Sequence, residues 1–403
     1  MTEAAVLGFG TVGSGVVEVI DRNQAAIRVQ FPEGIHVKYI LDLRSFPDSP
    51  YADKVVHDIN VIREDPEIRI VCETMGGMEP AFSFTKSFLE KGVSVCTSNK
   101  ELVAAHGPEL IALAKANRCS YLFEASVGGG IPLLRTIESS LVQERITAVY
   151  GILNGTTNYI LTKMAREGAD FDATLKEAQD KGYAERNPES DIEGHDTARK
   201  IAILTSLVSG STFRYEDVYC EGITKITAAD FKYAKTLGMS VKLLGVSRRD
   251  PETLEFHVLT APFLVSCEHP LYSVNDVFNG VFIHGNMVDD LMLYGRGAGK
   301  YPTASAVVSD VIDCASHDGR WITRRWDPEV IEPGDRLSEV RRFFVRTDAD
   351  SEEAARKAFP GLTVVTADGM EGEFAFVTDR VTEGEFEGKA AGLKLRNRIR
   401  FLN

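Results

Sequence analysis

Ala4-Ala5-Val6-Leu7-Gly8-Phe9-Gly10-Thr11-Val12-Gly13 is the stretch that decides the fold. An apolar strand run, Ala4 to Leu7, leads into G-x-G-x-x-G, and helix-forming residues follow from Val16 to about Val29. In that setting each glycine has a task. Gly8 turns the chain, Gly10 lets the backbone approach a pyrophosphate, and Gly13 lets the helix pack against the strand. The phosphate then lies at a helix N-terminus, where unpaired N–H groups and the helix dipole favour an anion. Gly8, Phe9, Gly10, Thr11, Val12 and Gly13 therefore form a candidate dinucleotide loop.

Working outward, a second strand, His36 to Leu41, ends in Asp42-Leu43-Arg44. An acid at this place binds the ribose hydroxyls of NAD, and a nearby arginine suits the 2′-phosphate of NADP. Both are present, so NAD and NADP stay open. Strands are expected at Ile68–Cys72, Val93–Cys96 and Tyr121–Phe123, and helices at Glu79–Lys91, Lys100–Asn117 and Ile131–Ser140. This alternation indicates a doubly wound parallel sheet, which binds ligands beyond the carboxyl ends of its strands. Thr97, Ser98, Asn99 and Lys100 fall at such an end, which places Lys100 near a nicotinamide. So does Glu124 to Ile131, whose glycines 128–130 permit either a hard-cation site of inward carbonyls or a tight turn before Pro132. The residues alone favour the turn. A later glycine run, Gly295 to Gly299 and centred on Gly297, reads as a loop feeding a helix, with weak phosphate-binding potential.

The bulk properties narrow the class. The 403 residues exceed one ordinary domain. A net charge of −14 argues against nucleic-acid and membrane-surface partners. No apolar run long enough to span a bilayer and no basic leader are present. The six cysteines form no CxxC pair and read as reduced thiols, which points to the cytoplasm.

From about Arg145 the pattern changes to α+β. A strand, Ile146–Leu153, leads into Asn154-Gly155-Thr156-Thr157-Asn158 and a helix through Arg166, with another helix at Asp172–Lys181. Then comes Gly182-Tyr183-Ala184-Glu185-Arg186-Asn187-Pro188-Glu189-Ser190-Asp191-Ile192-Glu193-Gly194-His195-Asp196-Thr197-Ala198-Arg199-Lys200. Gly182 can close the helix before it. Pro188 keeps Asn187 out of the helical region. Asp196 and Lys200 share a face at i,i+4 on a helix that is apolar all round beyond them, as a buried helix is. A helix at Ala228–Leu237 and strands at Val241–Ser247, Leu254–Thr260 and Gly280–Ile283 follow, with a turn at Asp250-Pro251-Glu252. Residues 341–403 read as βαββαβ, a ferredoxin-like order.

The chain resembles the homoserine dehydrogenase family. The resemblance rests on GFGTVG at 8–13, SNK at 98–100, EASVGGGIP at 124–132, GILNGTTNYIL at 151–161 and, above all, residues 182–200, with GRGAG and PTASAV between 295 and 307 in support. It implies an α/β fold: a Rossmann-type dinucleotide-binding domain at 1–144 completed by about 297–325, an inserted α+β catalytic and dimerisation domain at 145–296, and a small C-terminal module at 340–403. It implies NAD(P)-dependent interconversion of L-homoserine and L-aspartate 4-semialdehyde, in threonine, methionine and isoleucine biosynthesis. It places the two working lysines at Lys100 and Lys200 and substrate contacts at Thr156, Tyr183, Glu185, Asp191 and Asp196. A monovalent cation, sodium in most relatives, would lie on main-chain oxygens of Glu124, Val127, Gly129 and Ile131, which overrides the plain turn. It also implies a homodimer or homotetramer joined through the middle-domain sheet. Many relatives end in an ACT-type module with an Asp-x-Pro-Gly-like turn. Thr347 to Glu352 has neither proline nor glycine, so the module is expected to be degenerate and threonine control is in question. No kinase-sized segment precedes residue 1, which resembles the monofunctional form.

Homoserine is a zwitterion with a terminal alcohol, and its site needs carboxylates, anion donors and an acid/base. Glu185, Asp191 and Asp196 can take the ammonium or hold the lysines. The Gly155-Thr156 backbone and the Thr156 hydroxyl, beside a helix N-terminus, can take the carboxylate. Lys200 is expected to exchange the alcohol proton while Lys100 polarises the oxygen. Glu189 and Glu193 read as solvated and His195 as a bystander. The alternative is another NAD(P)-dependent amino- or hydroxy-acid dehydrogenase of the same architecture.

Overall fold

The computed structural model describes residues 1–322 and 325–402. The return segment expected over 297–325 and the module expected over 340–403 include positions 323, 324 and 403, which lie outside the described residues. The chain forms two compact units, one of Met1–Gln143, Ala202–Tyr215 and Gly295–Ile331, the other of Glu144–Ile201, Glu216–Tyr294 and Glu332–Asn403.

The first unit is built on six parallel strands: β1 (Thr2–Leu7), β2 (Ile35–Leu41), β3 (Val55–Val56), β4 (Ile68–Glu73), β5 (Ser94–Thr97) and β6 (Tyr121–Leu122), in the order β3-β2-β1-β4-β5-β6. Ala4 to Leu7 are wholly buried, as befits a strand covered on both faces. Helix α1 (Thr11–Arg22) starts inside the glycine motif, five residues before the expected Val16, and breaks at Asn23, whose backbone leaves the helical region. Helices α2 (Ala81–Glu90) and α3 (Lys100–Ala116) follow the alternation. The helix Lys300–Ser316 returns to this unit: its Ala304, Val307 and Val311 share one core with Ala4, Val6, Val16 and Cys96. It packs closely enough on α1 that a Cβ on Gly15 would fall 2.8 Å from the Lys300 carbonyl oxygen. The expected helix Ile131–Ser140 is instead one helical turn, Leu133–Arg135, widening into a π turn over Thr136–Ser140.

The second unit carries a ten-stranded sheet. Its strands include β7 (Ile146–Ile152), β8 (Met239–Arg249), β9 (Phe256–Ser266), β10 (Phe278–Gly285), β11 (Asp289–Arg296), β12 (Phe343–Asp348), β13 (Thr363–Val364), β14 (Glu373–Val377) and β15 (Leu395–Phe401), in the order β11-β10-β7-β8-β9-β15-β12-β14-β13. The β8–β9 hairpin pairs from Met239↔Ser266 to Arg249↔Phe256 around the expected turn, where Asp250 Oδ1 accepts from the Glu252 and Thr253 N–H groups. Strand β11 is hard to read from the sequence because its Asp-Asp start leaves an apolar run of only Leu291 to Tyr294 before Gly295, with no residue of the strand buried.

The C-terminal βαββαβ order is present, with helices Glu352–Ala358 and Glu383–Ala390. Its last strand, β15, pairs in parallel with β9 through Phe263↔Arg400 and Leu264↔Phe401, so its strands extend the middle sheet. One face of these strands, Phe344, Val377 and Ile399, joins the core of Ile160, Tyr233 and Leu264. The other, Phe343, Val345 and Phe376, packs with Phe359 and Phe386. This is the alternation a two-sided strand requires. Among the described residues no helix is long and apolar enough to cross a membrane, and all six cysteines are unpaired thiols.

Candidate active site

At the carboxyl ends of β1 and β4 the strand order reverses, the position where open α/β sheets take ligands. A cleft of about 650 Å³ opens there, lined by Gly8, Gly10, Asp42, Arg44, His57 and Met75 among others. Gly8 has φ +91°, which glycine adopts without strain. Thr11, Val12 and Gly13 form the first turn of α1. A Cβ on Gly13 would fall 1.8 Å from the Gly8 carbonyl oxygen, whereas one on Gly10 would meet nothing within 4 Å. The third glycine is thus required by the protein itself, and the second only by what approaches the loop.

Phe9 is buried edge-on against Phe46, and its N–H donates to Asp42 Oδ2 at 2.8 Å. Arg44 closes on the same carboxylate through its N–H and Nε at 2.9 and 3.0 Å to Oδ1 and through Nη2 at 2.9 Å to Oδ2. The guanidinium holds the Asp42 carboxyl well below its usual range. Each charge neutralises the other, so the pair leaves NAD and NADP both open.

The next strand end is held by a residue that sequence reasoning missed. Glu73, wholly buried at the end of β4, accepts from the Thr97 hydroxyl at 2.6 Å and the Met75 N–H at 2.8 Å. Burial pushes its carboxyl up, although these donors oppose the shift. Thr97 Oγ1 in turn accepts from the Asn99 N–H at 2.9 Å, and the Asn99 amide donates to the Gly77 carbonyl at 2.6 Å. Asn99 also caps α3 by accepting from the Leu102 N–H at 3.1 Å. Lys100 is the first residue of that helix and follows Ser98 and Asn99 out of the same turn. An acid closing the apolar run Ile68 to Cys72 was the available signal for Glu73.

Gly128 and Gly129 have φ +79° and +55°. A Cβ on Gly129 would fall 2.4 Å from the Gly297 carbonyl, so Gly297 abuts this tract and is not among the residues lining the cleft. Among the described residues the carbonyl oxygens of Val127 and Gly129 accept no backbone hydrogen bond, while that of Ile131 accepts from the Leu133 N–H at 2.8 Å. The Glu124 carboxylate spans the Leu134 and Arg135 N–H groups, both at 2.8 Å, which stops the helix expected from Ile131 from starting earlier. The Glu124 N–H donates to Asp310 Oδ2 at 2.9 Å. Burial and the neighbouring Glu124 push the Asp310 carboxyl up. Buried main-chain oxygens beside two acids, on a backbone that glycine adopts most cheaply, fit a monovalent cation.

In the second unit the charges of 182–200 gather on one asparagine. Asn154 ends the segment after β7 and caps α4 (Gly155–Glu167), its Oδ1 accepting from the Thr157 N–H at 2.9 Å. Its Nδ2 donates to Asp191 Oδ1 at 2.7 Å and Asp196 Oδ2 at 2.8 Å. Lys200, one turn along α6 (His195–Ser209), donates to Asp196 Oδ2 and to the Leu153 carbonyl, both at 2.7 Å. Asn154, Asp196 and Lys200 are buried and Asp191 is half-buried. A buried lysine is tolerable only with such partners. Sequence reasoning missed Asn154, although an Asn-Gly pair at a helix start is the signal that identifies it as the cap.

Gly155 and Thr156 open α4, and the Thr156 hydroxyl donates to the Tyr183 carbonyl at 2.7 Å. Tyr183 packs edge-on against Tyr159 at 4.9 Å. Helix α5 (Phe171–Asp180) ends before Gly182, which has φ +73° as a helix stop requires. Asp191 lies on a four-residue helix, Glu189–Ile192, and Gly194 separates it from α6. Glu185 is exposed, and among the described residues its carboxylate makes no hydrogen bond or ion pair. Two of the three candidate acids are therefore assembled around Asn154, and Glu185 is outside that cluster. His195 is exposed.

Two family models match the chain: homoserine dehydrogenase over residues 132–312, and homoserine dehydrogenase, NAD binding domain, over residues 8–124. The chain is 43% identical to a homoserine dehydrogenase of Bacillus subtilis over 310 residues, 76% of this chain and 71% of that one. It is 45% identical to one of Synechocystis over 317 residues, 76% and 72% of the two chains. A crystal structure of a homoserine dehydrogenase from Thiobacillus denitrificans matches with a TM-score of 0.89 at 31% identity, covering 100% of this chain and 98% of that chain. A hyperthermophilic archaeal homoserine dehydrogenase in complex with NADPH matches with a TM-score of 0.65 at 26% identity, covering 78% and 98%. The glycine loop and the lysine–carboxylate cluster lie within the matched regions, and the chain belongs to the homoserine dehydrogenase family of NAD(P)-dependent oxidoreductases.

Proposed function

We propose that this chain interconverts L-homoserine and L-aspartate 4-semialdehyde. The observation that carries the reading is the Asn154-bridged cluster of Asp191, Asp196 and Lys200 beside the helix terminus at Gly155-Thr156. In the oxidation direction the terminal alcohol loses its proton to Lys200 and a hydride from carbon, leaving the aldehyde. NAD or NADP, held by Gly8 to Gly13, Asp42 or Arg44, and Thr97 to Lys100, supplies the hydride acceptor when bound. Lys100 polarises the reacting oxygen and relays the proton. The backbone of Gly155 and Thr156 at the α4 N-terminus takes the substrate carboxylate, since unpaired N–H groups at a helix start favour an anion, and the Thr156 hydroxyl ties this end to the Tyr183 carbonyl. Asp191 takes the ammonium with Glu185 and Tyr183, while Asp196 holds Lys200 in place. Main-chain oxygens of Glu124, Val127, Gly129 and Ile131 would hold a sodium ion that fixes the backbone of the tract.

The enzyme would work in the cytoplasm, where its unpaired thiols stay reduced, in threonine and methionine biosynthesis. It would assemble as a homodimer or homotetramer through the middle-domain sheet. The C-terminal region is read as an ACT-like module without its effector loop. The test is homoserine-dependent reduction of NAD and NADP, followed spectrophotometrically through the reduced nicotinamide. Reduction with L-homoserine and none with L-serine or L-threonine is expected. Turnover of another hydroxy-acid without homoserine activity would replace this reading.

A further inference from the structure

The C-terminal strand β15 carries Arg398 and Arg400, two residues apart and therefore on one face of the strand. Both grip a single carboxylate, Glu221. Arg398 donates to it through Nη1 at 3.0 Å and Nη2 at 2.5 Å, and Arg400 through Nη1 at 2.9 Å and Nη2 at 3.0 Å. The Tyr219 hydroxyl adds a third donor at 2.6 Å, and the Glu221 N–H donates to the Thr260 carbonyl at 2.8 Å. Arg400 is wholly buried and also forks onto Glu383. Burial alone would raise the Glu221 carboxyl, but Arg400 and Arg398 hold it down at about 2.

What Glu221 fixes is the chain that follows it. Gly222 lies so close to the 182–200 stretch that an added Cβ would fall 2.3 Å from the Ile192 carbonyl oxygen and 2.6 Å from Glu193 Cα. The Ile223 N–H donates to that same Ile192 carbonyl at 2.8 Å. A Cβ on Gly194 would sit 3.5 Å from the Glu221 carbonyl oxygen and 2.9 Å from the Thr260 methyl. Residues 192–194 belong to the short bridge, 192–195, between Asp191 and Asp196, the two carboxylates that Asn154 holds together. An unbroken chain of contacts thus runs from β15 through Glu221 and Gly222 to the backbone between the two acids. Packed backbone and bidentate ion pairs deform little, so a shift at one end must be felt at the other.

We propose that Glu221, clamped by Arg398 and Arg400, is a positioning residue for the amino-acid site, so that the C-terminal strand sets the spacing of Asp191 and Asp196. None of the three touches substrate; they act through residues 192–194. The inference rests on the substrate reading above. Its consequence is that the C-terminal region acts on the amino-acid site through a built contact and not only as an appended module.

The informative variant is Arg398→Gln, because Arg398 is the more exposed of the two arginines and its loss leaves Arg400 paired. The expected result is a KM for homoserine raised about tenfold, with kcat within about threefold, the cofactor KM unchanged and the melting temperature within a few degrees. Arg398→Lys, which keeps the charge but not the fork, should recover part of the loss. Amide hydrogen exchange of residues 189–196 should quicken in Arg398→Gln, a readout that needs no turnover. An unchanged homoserine KM with unchanged exchange overturns the proposal. So does a rise in both KM values together with a lowered melting temperature, which would mark Arg398 as merely structural. A wild-type protein inactive on homoserine would overturn the assigned reaction instead, and the exchange experiment would still decide the coupling.

Discussion

The glycine loop at 8–13 and the acidic stretch at 182–200 both receive charged groups, and they do so by opposite means. The loop works with backbone. Gly8 turns left-handed, Gly13 makes room that no side chain could share, and the first turn of α1 offers its N–H groups. The acidic stretch works with side chains. Two carboxylates and a lysine amine are gathered on the amide of Asn154 and the carbonyl of Leu153, more than thirty residues earlier in the chain. A backbone site is specified by spacing and fails sterically. A side-chain site is specified by partners and fails electrostatically.

The largest effect should separate two glycines inside the loop. Gly13→Ala puts a methyl group against the Gly8 carbonyl and should cost at least about 3 kcal/mol of stability, the upper range for overpacking. Gly10→Ala meets open space and should leave the melting temperature unchanged while weakening NAD(P)H binding. Thermal unfolding and fluorescence titration of both variants check this, and equal stability losses would break the distinction. In the acidic stretch, Asn154→Asp keeps the cap oxygen for Thr157 but turns the donor into an oxygen facing two carboxylates. A loss of about a hundredfold in kcat/KM for homoserine is expected, with cofactor binding unchanged, as for removal of a preorganised donor. An unaffected kcat/KM would mean that the bridge does not shape the site. The smallest effect should come from Arg44→Ala. Losing this cation should weaken NADP about tenfold and NAD hardly at all, the weight of one charge-assisted hydrogen bond. Equal changes for both cofactors would remove Arg44 from the 2′ position.

How legible each region was follows from the same contrast. The loop and its strands could be read because the constraint is local: Ala4 to Leu7, the glycine spacing and the helix after it lie within some twenty residues. Asp196 and Lys200 were legible as an i,i+4 pair, and α6 as a buried helix. Asn154 was not, because its two acids are distant in sequence and only the folded chain brings them to its amide. Glu73 was hidden for a related reason, since its hydroxyl partner, Thr97, closes the neighbouring strand β5 and meets it only in the folded sheet. The βαββαβ order of the last sixty residues was readable from its alternating runs. That its final strand would pair with β9, and that Arg398 and Arg400 would close on Glu221, was not, because charged residues in a strand ordinarily face solvent.

The central claim is that Lys200, held by Asp196 and the Leu153 carbonyl, moves the proton of the substrate alcohol. Steady-state turnover of Lys200→Ala with L-homoserine, alongside cofactor titration of the same sample, tests it directly. A kcat lowered by about 10²–10⁴ with cofactor affinity unchanged is the expected result. Near-normal turnover in that variant would contradict it.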